Sequence, residues 1–191
     1  MNNPLYLFVG KSGSGKTTIA NRLSERCGLK QVESYTTRAP RYDGEIGHIF
    51  ISKSEFDNLG ELAAYTLYNG NEYGTTFEQL KECNIYVIDV PGIETLLQKN
   101  NFTRPIRIVY FDTTVYTRIN RMLDRGDHDN AIVARLLQDE EYDWHHKLDA
   151  LVWHYANLEN KNVELYVVDA NNDVEKVFQD VESYISNSME V

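Results

Sequence analysis

Short apolar stretches rich in β-branched and aromatic residues alternate along this chain with longer stretches in which apolar positions recur at helical spacing. Four such pairs follow one another: LYLFV with TTIANRLSERC, IYVIDV with GIETLLQK, IRIVYFD with TVYTRINRMLDR, and VELYVVDA with DVEKVFQDVESYI. Strands that are apolar on both faces are typical of a parallel sheet covered by helices. The pattern therefore predicts an α/β fold of three layers, α/β/α, around a parallel sheet that we expect to have five strands.

Two stretches break this pattern. Residues 34–84 alternate polar and apolar positions in short pieces around one helix-like segment, SEFDNLG, which is typical of small antiparallel strands. Residues 124–138 place Gly126 between two helical patterns, which indicates a mobile hairpin of helices. We expect one domain, with an inserted subdomain over 34–84, a helical lid over 124–138, and a core over 1–33, 85–123 and 139–191.

The composition of the chain limits which binding partners and which cellular compartment are expected. A net charge of −10 over 191 residues argues against a nucleic-acid backbone or an anionic membrane as the main partner. The two cysteines, Cys27 and Cys83, have no metal-ligand spacing, and such sparse use is typical of a reducing cytosol. The apolar run at residues 5–9 has no basic flank and is too short for a signal or a membrane span. We expect a soluble, cytoplasmic protein.

A phosphate-binding loop follows the first predicted strand. Residues 10–17 match G-x-x-x-x-G-K-[ST], with an apolar strand before them and a helical pattern after them. Gly13 and Gly15 let backbone N–H groups turn towards phosphate oxygens, Lys16 reaches the outer phosphates, and Thr17 can ligate Mg²⁺. The residues that we assign to the donor nucleotide in this loop are Gly10, Ser12, Gly13, Ser14, Gly15, Lys16, Thr17 and Thr18.

Asp89 closes the apolar stretch IYVID. Ligands bind at the carboxyl ends of strands in open α/β sheets, so Asp89 can hold Mg²⁺ directly or through water. The alternative is that Asp89 caps the helix that begins near Gly92.

A P-loop alone is compatible with an ATPase, a GTPase, a nucleotide-dependent switch protein or a kinase. The segment SYTTRAPRYDGEIGHIF helps to distinguish these classes. Arg38 and Arg41 flank Pro40, and with Tyr73 they offer planar donors and a phenol that can clamp a second phosphate group. The alternative is a pair of solvated surface charges. A second phosphate site favours a kinase, which excludes water, over a hydrolase, which positions it.

The segments GKSGSGKTT, SYTTRAPR, EYGTT, VIDV and RMLDRG…IVARL together resemble the guanylate kinases, within the nucleoside monophosphate kinases. The resemblance implies that Ser34 and Thr75 approach the acceptor base and that Arg38, Arg41 and Tyr73 bind the acceptor phosphate. A further phosphate-binding tyrosine of the family falls near His48. This histidine could be a weaker phosphate donor or a strand residue that faces solvent.

The resemblance also implies that Arg125 and Arg135 close over the transferring phosphoryl group. Charge spreads over the equatorial oxygens during this transfer, so cations brought in by closure stabilise the transition state. The alternative is an exposed helix face on which these arginines pair with Asp127 and Asp129.

Two acidic residues that contact guanine in the family are absent. Ala64 stands nine residues before Tyr73, where the family has a glutamate, and Pro91 stands at the second aspartate of its D-x-D strand end. Two charge-assisted hydrogen bonds are worth on the order of 2 to 4 kcal/mol of discrimination. GMP or dGMP is our first expectation for the acceptor, and thymidine or another monophosphate stays open.

The last strand pattern ends at residues 169–171, where many monophosphate kinases hold the donor adenine, and we assign Ala170 and Asn171 to that role by position. A long helical pattern over 139–161 precedes it. Trp144, Trp153 and Tyr155 in this pattern are expected to face the core rather than to form a stacking platform.

The leading hypothesis is a Mg²⁺-dependent kinase that moves the γ-phosphoryl group of ATP onto a nucleoside or deoxynucleoside monophosphate. Lys16, Arg125 and Arg135 would be the catalytic residues, and Thr17 and Asp89 would hold the metal. Two other classes stay open. One is a non-catalytic binding module with the same fold, and the other is a nucleoside triphosphate hydrolase. No nucleic-acid or membrane partner is expected.

Overall fold

The computed structural model describes residues 3–40, 43–99, 102–140, 143–159 and 161–189. Its strands and helices follow the alternation seen in the sequence. In chain order they are β1 Leu5–Val9, α1 Lys16–Cys27, β2 Ser34–Thr36, β3 His48–Phe50, α2 Lys53–Asp57, β4 Leu62–Tyr68, β5 Asn71–Thr76, α3 Phe77–Glu82, β6 Ile85–Val87, α4 Val90–Gln98, β7 Ile106–Asp112, α5 Val115–Asp124, α6 Asp129–Glu140, α7 Trp144–Asn157, β8 Val163–Asp169 and α8 Val174–Met189.

The central sheet is parallel throughout, with strand order β6-β1-β7-β8. The expected α/β fold class is confirmed, but the described residues form four strands in this sheet rather than five. The fifth position is a single parallel bridge between Gln31 and Ile85, with the Val32 amide donating to the Ile85 carbonyl at 2.8 Å. The chain enters β2 at Ser34, so this edge is too short to form a strand.

Each face of the sheet has its own hydrophobic core because successive side chains of a strand point to opposite sides. Leu7 of β1 packs with Ile93 of α4 and Leu148 of α7. Its neighbour Phe8 packs on the other face with Ile19 of α1 and with residues of α8. The three expected layers are present.

A second sheet, with order β3-β2-β5-β4, lies within residues 34–76. The pairs β2–β5 and β4–β5 are antiparallel, as the alternation predicted, but β2–β3 is parallel. The expectation of purely antiparallel strands was wrong. β3 begins beside the first residue of β2, so the two strands run in the same direction. Asn69 and Gly70, both at positive φ, form the tight turn between β4 and β5, for which Asn-Gly is the favoured pair.

The long helical pattern over 139–161 is divided into two helices. Asp143 begins α7, and its carboxylate accepts from the His146 amide. Tyr155 is buried as expected, whereas Trp153 is 61% exposed, which corrects the prediction that it faces the core. Within the described ranges, no helix is long and apolar enough to cross a membrane.

Gly13 is a sensitive packing position. Its φ is +81°, and a Cβ atom there would lie 2.8 Å from the backbone oxygen of Arg118 in α5. Gly70 has a similar φ of +71°, but a Cβ atom there would meet nothing within 4 Å. We therefore expect Gly13→Ala to reduce the free energy of unfolding by about 1 to 3 kcal/mol more than Gly70→Ala does. Urea unfolding of both variants measures the difference, and equal losses would contradict the close contact.

Candidate active site

A cavity of about 290 Å³ opens at the carboxyl ends of β1 and β6. The phosphate loop forms one wall, the second sheet forms another, and residues of α5, α6 and the loop between them close it. Its polar and aromatic lining includes Ser12, Lys16, Thr17, Thr18, Ser34, His48, Thr66, Tyr68, Tyr73, Tyr86, Asp89, Arg125, Arg135, Asp139 and Trp144. The structure thus brings residues predicted for two different phosphate sites to one space.

The phosphate loop wraps around the ammonium group of Lys16. Lys16 Nζ donates to the Gly10 carbonyl at 2.6 Å, to the Lys11 carbonyl at 3.1 Å and to Ser14 Oγ at 3.2 Å. Gly15, at a φ of +95°, begins α1 without a side-chain cap, so the free N–H groups of that helix end face the loop. Burial lowers the pKa of Lys16 to about 8.

Asp89 combines the two roles that its position allowed. Its Oδ1 accepts from the Gly92 amide at 2.9 Å and so caps α4. The carboxylate also lies near the Thr66 side chain, and burial raises the pKa of Asp89. Thr17 and Asp89 line the same cavity and carry hard oxygen ligands of the kind that Mg²⁺ takes. The described part of the chain contains no cluster of three or more acidic, histidine or cysteine ligands, so phosphate oxygens would complete such a site.

The predicted acceptor residues divide into two groups. Ser34, His48 and Tyr73 line the cavity. His48 Nδ1 lies 2.9 Å from Ser34 Oγ, and its ring packs edge-on against Tyr73, with ring centres 5.6 Å apart. Thr75 is fully buried, donates to Gln79 Oε1 at 2.8 Å and is not among the described cavity residues.

Arg38 stands behind this wall. Its guanidinium forms two parallel bonds to Glu45, of 2.8 and 3.1 Å, and it lies near Tyr73. Its position beside the ring of Phe50, 5.2 Å from the centroid, fixes the plane of the group. Arg41, the second predicted phosphate ligand, lies outside the described residues.

Both lid arginines line the cavity and share one carboxylate. Arg125 Nε donates to Asp127 Oδ2 at 2.9 Å, and Arg135 donates to the same oxygen. The pairing with Asp127 that the sequence left open is therefore present, and it keeps both guanidinium groups together at the cavity wall.

A second cavity, of about 540 Å³, lies on the other side of the phosphate loop between α1, α5 and α8. Arg121 lines it and bonds the Ser14 and Asn172 carbonyls at 3.3 and 3.1 Å. The sequence reasoning missed Arg121, although its position one helical turn before Arg125 was a signal. Ala170 is fully buried and Asn171 accepts from Thr114 and Thr117, so their assignment to adenine stays a prediction.

Sequence reasoning also missed Asp139, which reaches the phosphate loop from α6. Asp139 lies 127 positions from its partner Ser12 along the chain. Local spacing carries no signal for a contact over that distance.

No protein-family model matches this chain. Several curated proteins are similar to it in sequence. It is 40% identical over 152 residues to a guanylate kinase of Neisseria meningitidis serogroup A, covering 73% of each chain. It is 32% identical over 149 residues to a guanylate kinase of Gloeobacter violaceus, covering 72% of each. The chain belongs to the guanylate kinase family.

Two further matches extend the likeness over the full length. A guanylate kinase of Fusobacterium nucleatum is 27% identical over 199 residues, which cover 97% of each chain. The crystal structure of a guanylate kinase from Anaplasma phagocytophilum matches 98% of this chain and 87% of its own with a TM-score of 0.59 at 20% identity, which supports the fold. The prediction of a nucleoside monophosphate kinase, a nucleotide-binding phosphotransferase, is confirmed. Membership of the guanylate kinase family does not favour a non-catalytic module or a hydrolase.

The low pKa of Lys16 generates a prediction for this kinase. Because the ammonium group is charged only below a pKa of about 8, kcat/KM for ATP should fall as the pH rises through 8. An ordinary lysine would hold its charge to about pH 10.4. Initial rates from pH 6 to 10 at saturating acceptor test this, with Lys16→Arg as the variant whose charge does not titrate. A fall that begins only near pH 10 in the wild type would contradict the effect of burial.

Proposed function

We propose that this protein transfers the γ-phosphoryl group of ATP to GMP or dGMP with the help of Mg²⁺. The observation that carries the proposal is the shared cavity. Lys16 of the phosphate loop, Tyr73 of the second sheet and the lid residue Arg135 all line one space of about 290 Å³. Donor and acceptor groups held there would be neighbours, as transfer between them requires.

The donor side rests on the phosphate loop. When ATP binds, Lys16 Nζ would donate to phosphate oxygens instead of to the loop carbonyls that it bonds now. The free N–H groups at the N-terminus of α1 would bind phosphate oxygens as well. Thr17 and Asp89 would hold Mg²⁺, which would neutralise charge on the phosphates. Arg121, in the cavity on the far side of the loop, is suited to the base or sugar of ATP.

The acceptor side rests on the second sheet. Tyr73 lines the cavity, and Arg38 lies near it. Arg38 is already in the bidentate geometry that a phosphate needs, with Glu45 as its present partner. Ser34 and Thr66 place hydroxyl groups around the space left for the base. Ala64 is buried in the hydrophobic core, so the hydroxyl groups of Ser34 and Thr66 would replace the missing glutamate.

The reaction needs no protein nucleophile. An oxygen of the acceptor phosphate forms a bond to the γ-phosphorus, and the bond from that phosphorus to the ADP oxygen breaks. Arg125 and Arg135 would leave Asp127 and bind the equatorial oxygens as negative charge develops on them.

The first experiment is ADP production by purified protein with ATP and Mg²⁺, run separately with GMP, dGMP, AMP, CMP, UMP and dTMP and without acceptor. We expect GMP or dGMP to give the largest stimulation over the control without acceptor. Stimulation by a different monophosphate would refute the base assignment, and equal turnover without acceptor would refute the kinase itself.

Two substitutions separate the donor and acceptor sites. Lys16→Ala should lower kcat/KM for ATP by at least about 100-fold. Arg38→Ala should raise KM for the acceptor about tenfold and leave the ATP dissociation constant within about twofold. Arg26→Ala, which removes an exposed arginine of α1, is the matched control and should match the wild type. Equal loss of ATP affinity in the Lys16 and Arg38 variants would contradict two separate phosphate sites.

A further inference from the structure

One buried pair of charges is not explained by the proposed machinery. Among the residues that the structure describes, the charged side chains classed as buried are Arg118 of α5, which is fully buried, and Asp139 in the last turn of α6, which is 3% exposed. Arg118 donates to Asp139 Oδ2 at 2.8 Å. Apolar side chains of similar volume often stabilise a protein as well as a buried ion pair does. Stability alone therefore does not account for the charges.

The same carboxylate oxygen holds the phosphate loop. The backbone N–H of Ser12 donates to Asp139 Oδ2 at 2.8 Å. The carbonyl of Asp139 accepts from Trp144 Nε1 at 3.0 Å, so the start of α7 fixes this end of α6 as well. Asp139 thus ties the tip of the phosphate loop to three helices.

Ser12 also contacts the acceptor side. Its side chain faces Tyr68 at the end of β4 in the same cavity, and this contact opposes the rise in the Tyr68 pKa that burial causes. The ring of Tyr68 packs edge-on against that of Tyr73, with ring centres 6.4 Å apart. One residue of the phosphate loop therefore bonds α6 through its backbone and faces the second sheet through its side chain.

These contacts set the relative positions of the reacting groups. Arg135 lies one turn before Asp139 on the same face of α6, so fixing Asp139 also fixes how Arg135 stands over the loop. Tyr68 fixes the wall that carries Tyr73. Phosphoryl transfer requires the acceptor oxygen within about 3 to 3.5 Å of the γ-phosphorus and in line with the bond that breaks.

We propose that Asp139 and Tyr68 are positioning residues that act through Ser12 to direct the γ-phosphoryl group to the acceptor rather than to water. This role rests on the proposed function. In the side reaction, a water oxygen forms the bond to the γ-phosphorus, ADP leaves, and a proton of that water passes to solvent. A loosened loop tip would allow this reaction because the acceptor no longer fills the attack position.

The first test replaces the pair with apolar side chains, Arg118→Met together with Asp139→Leu. This double variant leaves no unpaired buried charge and should fold, whereas Asp139→Ala alone would strand Arg118. We expect kcat for transfer to GMP to fall at least about tenfold, with KM for ATP and GMP within about threefold. The fraction of ADP formed without phosphorylated acceptor should rise. The matched control is Lys176→Met with Asp180→Leu, which removes an exposed pair on α8.

The second test is Tyr68→Phe, which removes one hydroxyl and keeps the ring. It should retain the wild-type melting temperature, lower kcat by about three- to tenfold and raise the hydrolysed fraction. Tyr116→Phe, at a residue that is 75% exposed, is its control and should match the wild type.

The outcomes separate the two proposals. Folded variants with wild-type kcat and hydrolysed fraction would overturn the positioning role and leave the kinase intact. A lower melting temperature with an unchanged hydrolysed fraction would show that the Arg118–Asp139 pair has a structural role only. This result would also overturn the positioning role. A wild-type protein that phosphorylates none of the six monophosphates would overturn the proposed function, and the positioning role with it.

Discussion

The phosphate loop can take its shape only because two glycines let its backbone press against neighbouring elements. A Cβ atom at Gly10 would lie 2.9 Å from the Phe111 carbonyl of β7, and one at Gly13 would lie 2.8 Å from the Arg118 carbonyl of α5. No side chain fits either gap. The central sheet and α5 therefore determine the shape of the loop around Lys16. The cavity, the predicted lid and the second sheet are arranged around this loop.

The site is locally cationic in an acidic chain, and its arginines are already held by carboxylates. Glu45 orients Arg38, while Asp127 holds Arg125 and Arg135 together. A phosphate group is a stronger partner for an arginine than either carboxylate, since it carries more charge and more acceptor oxygens. Exchange of a carboxylate for a phosphate thus needs little reorganisation of the guanidinium groups, which is the condition for efficient electrostatic catalysis.

Periodicity was a sufficient guide to the strands and helices because burial on one or two faces leaves a repeating pattern in the sequence. The spacing of the P-loop likewise predicted which residues surround Lys16. Pairings between distant segments leave no such pattern. The parallel β2–β3 pair, the single bridge at Gln31, the exposure of Trp153 and the contact of Asp139 with Ser12 all depend on how separate elements meet. Thr75 was placed at the cavity by analogy, whereas its hydroxyl is occupied by Gln79.

The position of β1 in the middle of the sheet has a consequence for synthesis. Leu5 pairs with Ile106, and Gly10 needs Phe111 as its neighbour, so β1 gains one of its two partner strands only after the chain as far as β7 has been made. Such distant pairings slow folding. Until β7 emerges, one edge of the entirely apolar strand β1 stays unpaired, and the phosphate loop lacks the neighbour that Gly10 packs against. Nascent chains are therefore exposed to aggregation, and chaperones and ATP would protect them at different stages.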